Sequence, residues 1–153
     1  MSKVQDIDHG WKRIKRSLKR MDTSYTKVGV QQGTQHKSKE GELSDLVTIA
    51  VANEYGTKRI PSRPFMRNAM DNNQTVLFKT QLQMYGEVIA GTKSVYEALA
   101  VIGEVATTKI KKEIRNLKFP PNAPSTIARK KSDNPLIDQG QLVQSITHVE
   151  VMR

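Results

Sequence analysis

The stretch from Val95 to Leu117 sets the strongest constraint on the fold. Val95, Leu99, Ile102, Ala106, Ile110, Ile114 and Leu117 follow one another at spacings of 4, 3, 4, 4, 4 and 3. That is the repeat of a long helix with one apolar stripe, and so long a stripe must be buried along its length. Ser94 stands at the N-cap position, where its side chain would take up a free backbone N–H. Lys109, Lys111, Lys112, Arg115 and Lys118 crowd the last turns and suit the negative end of the helix dipole. Phe65 to about Ala90 reads as a second long helix. Its stripe is Met66, Met70, Leu77, Met84 and Val88, widened by Ala69, Val76 and Phe78, and Gly91 ends it. With only "GTK" between them, the two helices should pack as an antiparallel hairpin.

The flanking segments predict a small sheet. "YTKVGVQQG", from Tyr25 to Gly33, alternates like a strand. So does the end, where Ile146, His148, Glu150 and Met152 alternate with Thr147, Val149 and Val151. The two are expected to pair antiparallel through Val28–Val30. The polar stretch from Gly33 to Glu42 reads as a mobile loop or a hairpin tip. Ser44 is placed as the cap of a helix over Asp45–Tyr55, with Leu46, Ile49, Ala50 and Asn53 on one face. Gly56 fits just past its end. Phe119 to Pro135 holds four of the six prolines, which excludes a continuous helix or a central strand. A short turn over Thr126–Lys130 capped by Ser125, a turn at Asp138 and Gly140, and another from Leu142 complete the reading. The expected class is α+β: a small antiparallel sheet packed against two long helices and shorter ones. Residues 23–153 form a single domain with a loop near 33–43.

Residues 1–22 stand apart as a basic amphipathic helix. Ile7, Trp11, Ile14, Leu18 and Met21 share one stripe, and Lys12, Arg13, Lys15, Arg16, Lys19 and Arg20 lie between them. Such a helix either packs its stripe on the body of the protein or docks it on a partner or membrane surface. Trp11 is placed as a core anchor or as a docking residue.

Composition excludes several chemistries. Cysteine is absent from the 153 residues, which removes disulfides, thiolate metal sites and cysteine nucleophiles and fits a reducing cytoplasm. No apolar run reaches the ~18 residues of a membrane span. His9, His36 and His148 are too far apart in sequence to suggest a metal site. Phosphate-binding glycine loops, GxSxG and HExxH are all missing, so no cofactor and no catalysis are expected. The net charge of +10 favours anionic partners. Basic clusters at Lys12–Arg20, Lys58–Arg67, Lys109–Lys118 and Arg129–Lys131 suit phosphate contact. With only 5% aromatics, the stacking platforms of a single-strand binder are scarce.

The segment from Asn53 to Met70 concentrates these features. Pro61 and Pro64 stiffen a loop that carries Lys58, Arg59, Arg63 and Arg67, and Phe65 follows as a core plug. A stiff loop loses little entropy on docking, and arginine forks match carboxylates and phosphates. Arg59, Pro61, Arg63, Pro64, Arg67 and Trp11 are therefore candidates for partner docking. Lys58, Lys111, Lys112, Arg129, Lys130 and Lys131 are candidates for contact with DNA or an acidic partner.

Three stretches together resemble a known family. "NEYGTKRIPSRPF" (Asn53 to Phe65) is similar to the Asn-Glu-aromatic-Gly-Thr … Ile-Pro-x-Arg-Pro-Phe signature of small neck proteins of tailed bacteriophages. These are the tail-completion, or head–tail joining, proteins, also described as virion morphogenesis proteins. "PPNAPSTIARKK" (Pro120 to Lys131) resembles their Pro-Asn-x-Pro-x-Thr … Lys stretch. "PLIDQGQLVQSI" (Pro135 to Ile146) resembles their Pro-Leu-Ile-Asp-Thr-Gly-x-Leu-x-x-Ser-Ile ending. Gln139 departs from the pattern, which more often has Thr or Ser there. The resemblance spans about Val28–Val151.

The resemblance implies a structural virion protein made in the host cytoplasm and placed in the virion neck. It implies a homo-oligomeric ring, expected to be hexameric, between a head-side connector and tail-side terminator or tube proteins. Genomic DNA would pass through its channel. Relatives in this group also serve as tail terminators or minor tail proteins. A nonspecific DNA-binding accessory protein is the alternative from another class. Six copies would carry roughly +60 (6 × 10), so ring closure is expected only where DNA, counterions or acidic partners offset the repulsion.

Overall fold

The computed structural model describes residues 8, 10–31, 33, 35–37, 43–116, 119–130, 134–137 and 140–153, with the side chains of 35–37, 43–44, 129 and 130 outside that description. In chain order the elements are α1 (Trp11–Thr23), β1 (Tyr25–Val30), β2 (Gln35–Lys37), β3 (Leu43–Asp45), α2 (Leu46–Tyr55), α3 (Phe65–Asp71), α4 (Gln74–Ala90), α5 (Val95–Arg115), α6 (Pro124–Lys130), α7 (Gln141–Ser145) and β4 (Ile146–Val151). The class is α+β, with a two-stranded antiparallel sheet lying on the long helix α5.

Helix α5 organises the molecule because its stripe is continuous. Val95, Ala98, Leu99, Gly103, Ala106, Thr107, Ile110 and Ile114 are all buried. Its N-terminal half packs with Met84 and Val88 of α4, and Met21 of α1 lies against that cluster. Its C-terminal half joins Leu46, Ala50, Phe65, Ala69, Phe119, Leu136, Leu142, Val143 and Ile146 in a larger cluster. Phe65, Ile114, Ile146 and Val88 are the largest fully enclosed side chains, and each contributes about 1.5–3 kcal/mol by burial. The α5 N-terminus is a full capping box: Glu97 N–H donates to Ser94 Oγ at 3.2 Å, and Ser94 N–H donates to Glu97 Oε2 at 2.7 Å.

The sheet pairs as the alternation predicts. β1 and β4 run antiparallel with Val28 opposite His148 and Val30 opposite Ile146. The helix accommodates this sheet at Gly103. A Cβ there would fall 2.7 Å from the His148 ring and 2.8 Å from Thr26 Oγ1, so only glycine lets both strands approach.

Several boundaries differ from expectation. The second long helix is two helices, α3 and α4, broken at Asn72–Asn73. Asn73 sends its side-chain amide back to Ala69 O at 2.8 Å, a local bond that competes with helix continuation. Phe78 does not widen the inner stripe but is 65% exposed. Asp45, not Ser44, caps α2, accepting from the N–H groups of Val47 and Thr48. The short helix α6 starts at Pro124, so Ser125 lies inside it; proline is well suited to a first helical position. The 33–43 stretch includes a short ladder, β2 against β3. The expectations that fall on residues 1–7, His9, Leu117, Lys118, Asp138 and Gln139 lie outside the described residues.

Candidate functional site

The loop between α2 and α3 is built around two buried charges. Glu54 lies near the end of the largely apolar helix α2 and is itself buried. Its Oε2 accepts from Met66 N–H at 2.9 Å and its Oε1 from Arg67 N–H at 3.1 Å. These are backbone donors of the first turn of α3, which would otherwise lack partners. A carboxylate there also meets the positive end of the helix dipole. Arg67 closes the group: its Nε lies 3.1 Å from Glu54 Oε1 and its Nη2 donates to Glu54 O at 2.9 Å. The Arg67 guanidinium stacks over the Tyr55 ring at 5.1 Å.

Arg63 is the second charge and is only 3% exposed. Its Nε donates to Pro120 O at 2.9 Å, and its Nη2 donates to Pro121 O at 3.2 Å and to Asn122 Oδ1 at 3.1 Å. Nη1 donates to Asn53 Oδ1 at 3.1 Å, and the Arg63 backbone N–H donates to Asn53 O. Prolines 120 and 121 leave two carbonyls that no sheet or helix takes up, and one planar fork satisfies both. Burial lowers the Arg63 pKa from its ordinary value, yet arginine remains a cation at neutral pH.

Gly56 makes the turn possible. Its φ is +79°, and a Cβ would meet Ser62 N at 2.9 Å and Ile60 O at 3.1 Å. Thr57 then receives Arg59 N–H and Ile60 N–H on its hydroxyl, and Thr57 N–H donates to Ile60 O. Ser62 Oγ donates to Glu54 O. The loop is thus tied down along its length, and Lys58, Arg59 and Pro61 project from it into solvent.

The predicted site residues fall into separate groups. Arg63 cannot dock a partner as expected, because its guanidinium is enclosed and fully used. Arg67 is shared between its intrachain pair with Glu54 and solvent. Pro64 is half-buried at the start of α3 and Phe65 is the core plug expected. Trp11 is not a core anchor: it is 58% exposed, with Lys15 Nζ 5.2 Å from its ring centroid. On α5, Lys111 is half-buried and Lys112 exposed. The side chains of Arg129 and Lys130, and Lys131 altogether, lie outside the described residues.

Arg63 also brings together stretches far apart in sequence. It ties Asn53 to Pro120–Asn122, while Leu136, Leu142, Val143 and Ile146 meet Phe65 and Phe119 in the same core cluster. The three motif-bearing stretches therefore form one spatial unit. Sequence reading missed Glu54, Asn53 and Asn122 as its linking residues. The available signal was an acid one residue before an exposed aromatic and two before a glycine, which does not by itself indicate burial.

The basic surface is dominated by α1. Lys12, Lys15, Arg16, Lys19 and Arg20 are exposed. Arg13 instead lies across the end of α4, donating from Nη2 to Ile89 O at 3.0 Å and from Nη1 to Val88 O at 3.4 Å. That helix-end contact fixes α1 against the body. Among the described residues no group of three or more His, Asp or Glu side chains is placed to hold a metal ion. No helix among them is long and apolar enough to cross a membrane. His148 sits between Thr107 Oγ1 at 3.3 Å and Glu150 Oε1 at 3.4 Å, with Glu104 Oε2 at 3.7 Å. No protein family, curated protein or solved structure matches the chain.

Proposed function

We propose that this chain is a structural subunit of a tailed-bacteriophage neck, a tail-completion or head–tail joining protein that acts as a ring between head connector and tail and carries out no catalysis. The observation that supports it is the convergence of the three resembling stretches. The first is a loop braced by Glu54 and Arg63 with Lys58, Arg59 and Pro61 at its outer edge, the second supplies the carbonyls that Arg63 binds, and the third packs in the same core as Phe65. A rigid, cationic, outward edge is what a subunit needs to engage acidic neighbours or DNA without a large entropic loss. The test is assembly of particles lacking the protein. Full heads and loose tails are expected; normally joined virions would overturn the proposal. Abnormally long tails would point to the terminator role instead.

One observation favours a second reading, a DNA-binding accessory protein: the row of exposed cations on α1 beside the exposed Trp11. Binding to free duplex with a steep fall in affinity as salt rises would support it.

A further inference from the structure

Helix α1 offers only part of its apolar stripe to the body. Trp11, Ile14, Leu18 and Met21 recur at spacings of 3, 4 and 3, the repeat of a helix that covers one side along its whole length. Yet α1 has no fully buried residue, where α5 has eight. Ile14, Ser17 and Met21 are half-buried, with Met21 against the cluster that holds Met84 and Val88, whereas Trp11 and Leu18 stay outside. Packing of an apolar face is what holds most helices in place, and here there is little of it.

Polar contacts complete the attachment, and they sit at the two ends of α1. Among the described residues, only Arg13 and Thr23 of α1 send side-chain hydrogen bonds to the rest of the chain. Thr23 Oγ1 donates to Arg153 O at 3.1 Å, and the buried Ser24 beside it accepts Arg153 N–H on its Oγ at 3.3 Å. That end is a pivot pinned to the chain just past β4. Near the other end Arg13 Nη2 donates to Ile89 O at 3.0 Å and Ala90 O at 3.5 Å, and Nη1 donates to Val88 O at 3.4 Å. These are carbonyls of the last turn of α4, at the negative end of its dipole. A Cβ on Gly91 would fall 2.5 Å from Arg13 Nη1, so the glycine that ends α4 also leaves the space the guanidinium occupies. We propose that α1 is an arm that opens on its own, with Arg13 as its latch and Thr23–Ser24 as its pivot, while the rest of the fold stays closed. The exposed Lys12, Lys15, Arg16, Lys19 and Arg20 travel with it, so the basic surface is the movable part of the molecule. The inference rests on how α1 is attached and not on the neck or DNA reading.

A free helix of 13 residues is marginal in water, so an unlatched α1 loses the protection of its backbone amides. Hydrogen exchange of the purified full chain, followed amide by amide by nuclear magnetic resonance, therefore reads the opening directly. The amides of Lys15–Met21 are expected to be at least about a hundredfold less protected than those of Leu99–Ile110 in α5. Arg13→Ala should speed exchange in α1 by about a further tenfold, because it removes bonds from a charged donor, and should leave α5 unchanged. Lys19→Ala removes an equal charge from the same helix without touching the latch and should exchange like wild type in both helices. Equal protection of α1 and α5 in the wild-type chain would overturn the proposal, since the arm would then open only with the whole fold, and this comparison needs no variant. An Arg13→Ala chain that exchanges like wild type would overturn it too, as would one in which α5 speeds up as much as α1. A Lys19→Ala chain that matches Arg13→Ala would assign the effect to charge and remove the latch.

Discussion

Arg63 shows how a side chain chosen for its charge can serve the fold. It is itself buried and donates to two proline carbonyls and two asparagine oxygens at the edge of the core. Arg63→Ala would orphan those acceptors together. We expect a loss of about 3 kcal/mol, since bonds from a charged donor are each worth about 1.5–3 kcal/mol. Arg63→Lys keeps the charge but not the fork and should lose about half as much. Urea unfolding checks both through the midpoint at constant slope; a loss below about 0.5 kcal/mol for Arg63→Ala would contradict the brace. Glu54→Gln should cost about 1–2 kcal/mol in the same measurement, mostly through the two backbone donors of α3, because the partly exposed Arg67 pair is screened. That the loop is basic and stiff is plain from its residues. Which cation turns inward is not, because burial of Arg63 depends on Pro120 and Pro121, more than fifty residues on.

At the scale of elements, glycine positions and caps make the sharpest claims. Gly103 is inside a helix, where alanine is ordinarily better by about 1 kcal/mol. Here Gly103→Ala should destabilise by about 1–3 kcal/mol instead, because the added methyl would meet the His148 ring and Thr26. A thermal melt reads the sign, and a raised midpoint would refute the close helix–sheet approach. The caps of α2 and α5 make a claim about pH. The Asp45 pKa is lowered, first by its bond from the Thr48 hydroxyl, and the Glu97 pKa is lowered, first by the Ser94 N–H. A carboxyl whose folded pKa lies below its unfolded value adds stability that is present above the unfolded value and is lost as pH falls through the folded one. Asp45→Asn and Glu97→Gln should therefore flatten the acid limb of a stability–pH curve and leave its neutral-to-basic shape alone. A wild-type acid limb in both would contradict the caps. Periodicity is enough to place α5, its cap and the β1–β4 pairing. It fails at Asn72–Asn73, where the Asn73 side-chain amide, bonded back to Ala69 O, interrupts a pattern whose apolar spacing continues across it. It also fails at Phe78, which follows Leu77 and so lies about 100° around the helix from the buried stripe, on an exposed flank.

For the whole molecule, charge is fully legible in the sequence and its distribution is not. The net +10 is concentrated on α1, while α4 is close to neutral, and only folding reveals that the two lie side by side. Exposed cations on α1 predict salt-sensitive binding to duplex DNA. Replacing Lys12, Lys15, Lys19 and Arg20 by glutamine should lower the salt slope by about 0.9 for each phosphate no longer neutralised. An unchanged slope would place the DNA-binding surface elsewhere. The three separated motifs are visible in sequence, and their meeting around Phe65 and Arg63 is not, since it requires long-range packing. On the proposed neck role, the central claim is that this brace holds the Lys58–Arg59–Pro61 edge ready for a neighbouring chain or the genome. A high-resolution cryo-electron microscopy map of a joined phage particle tests it most directly. That edge is predicted to touch an adjacent subunit, an acidic neighbour or DNA; a neck in which it faces only water would contradict the claim.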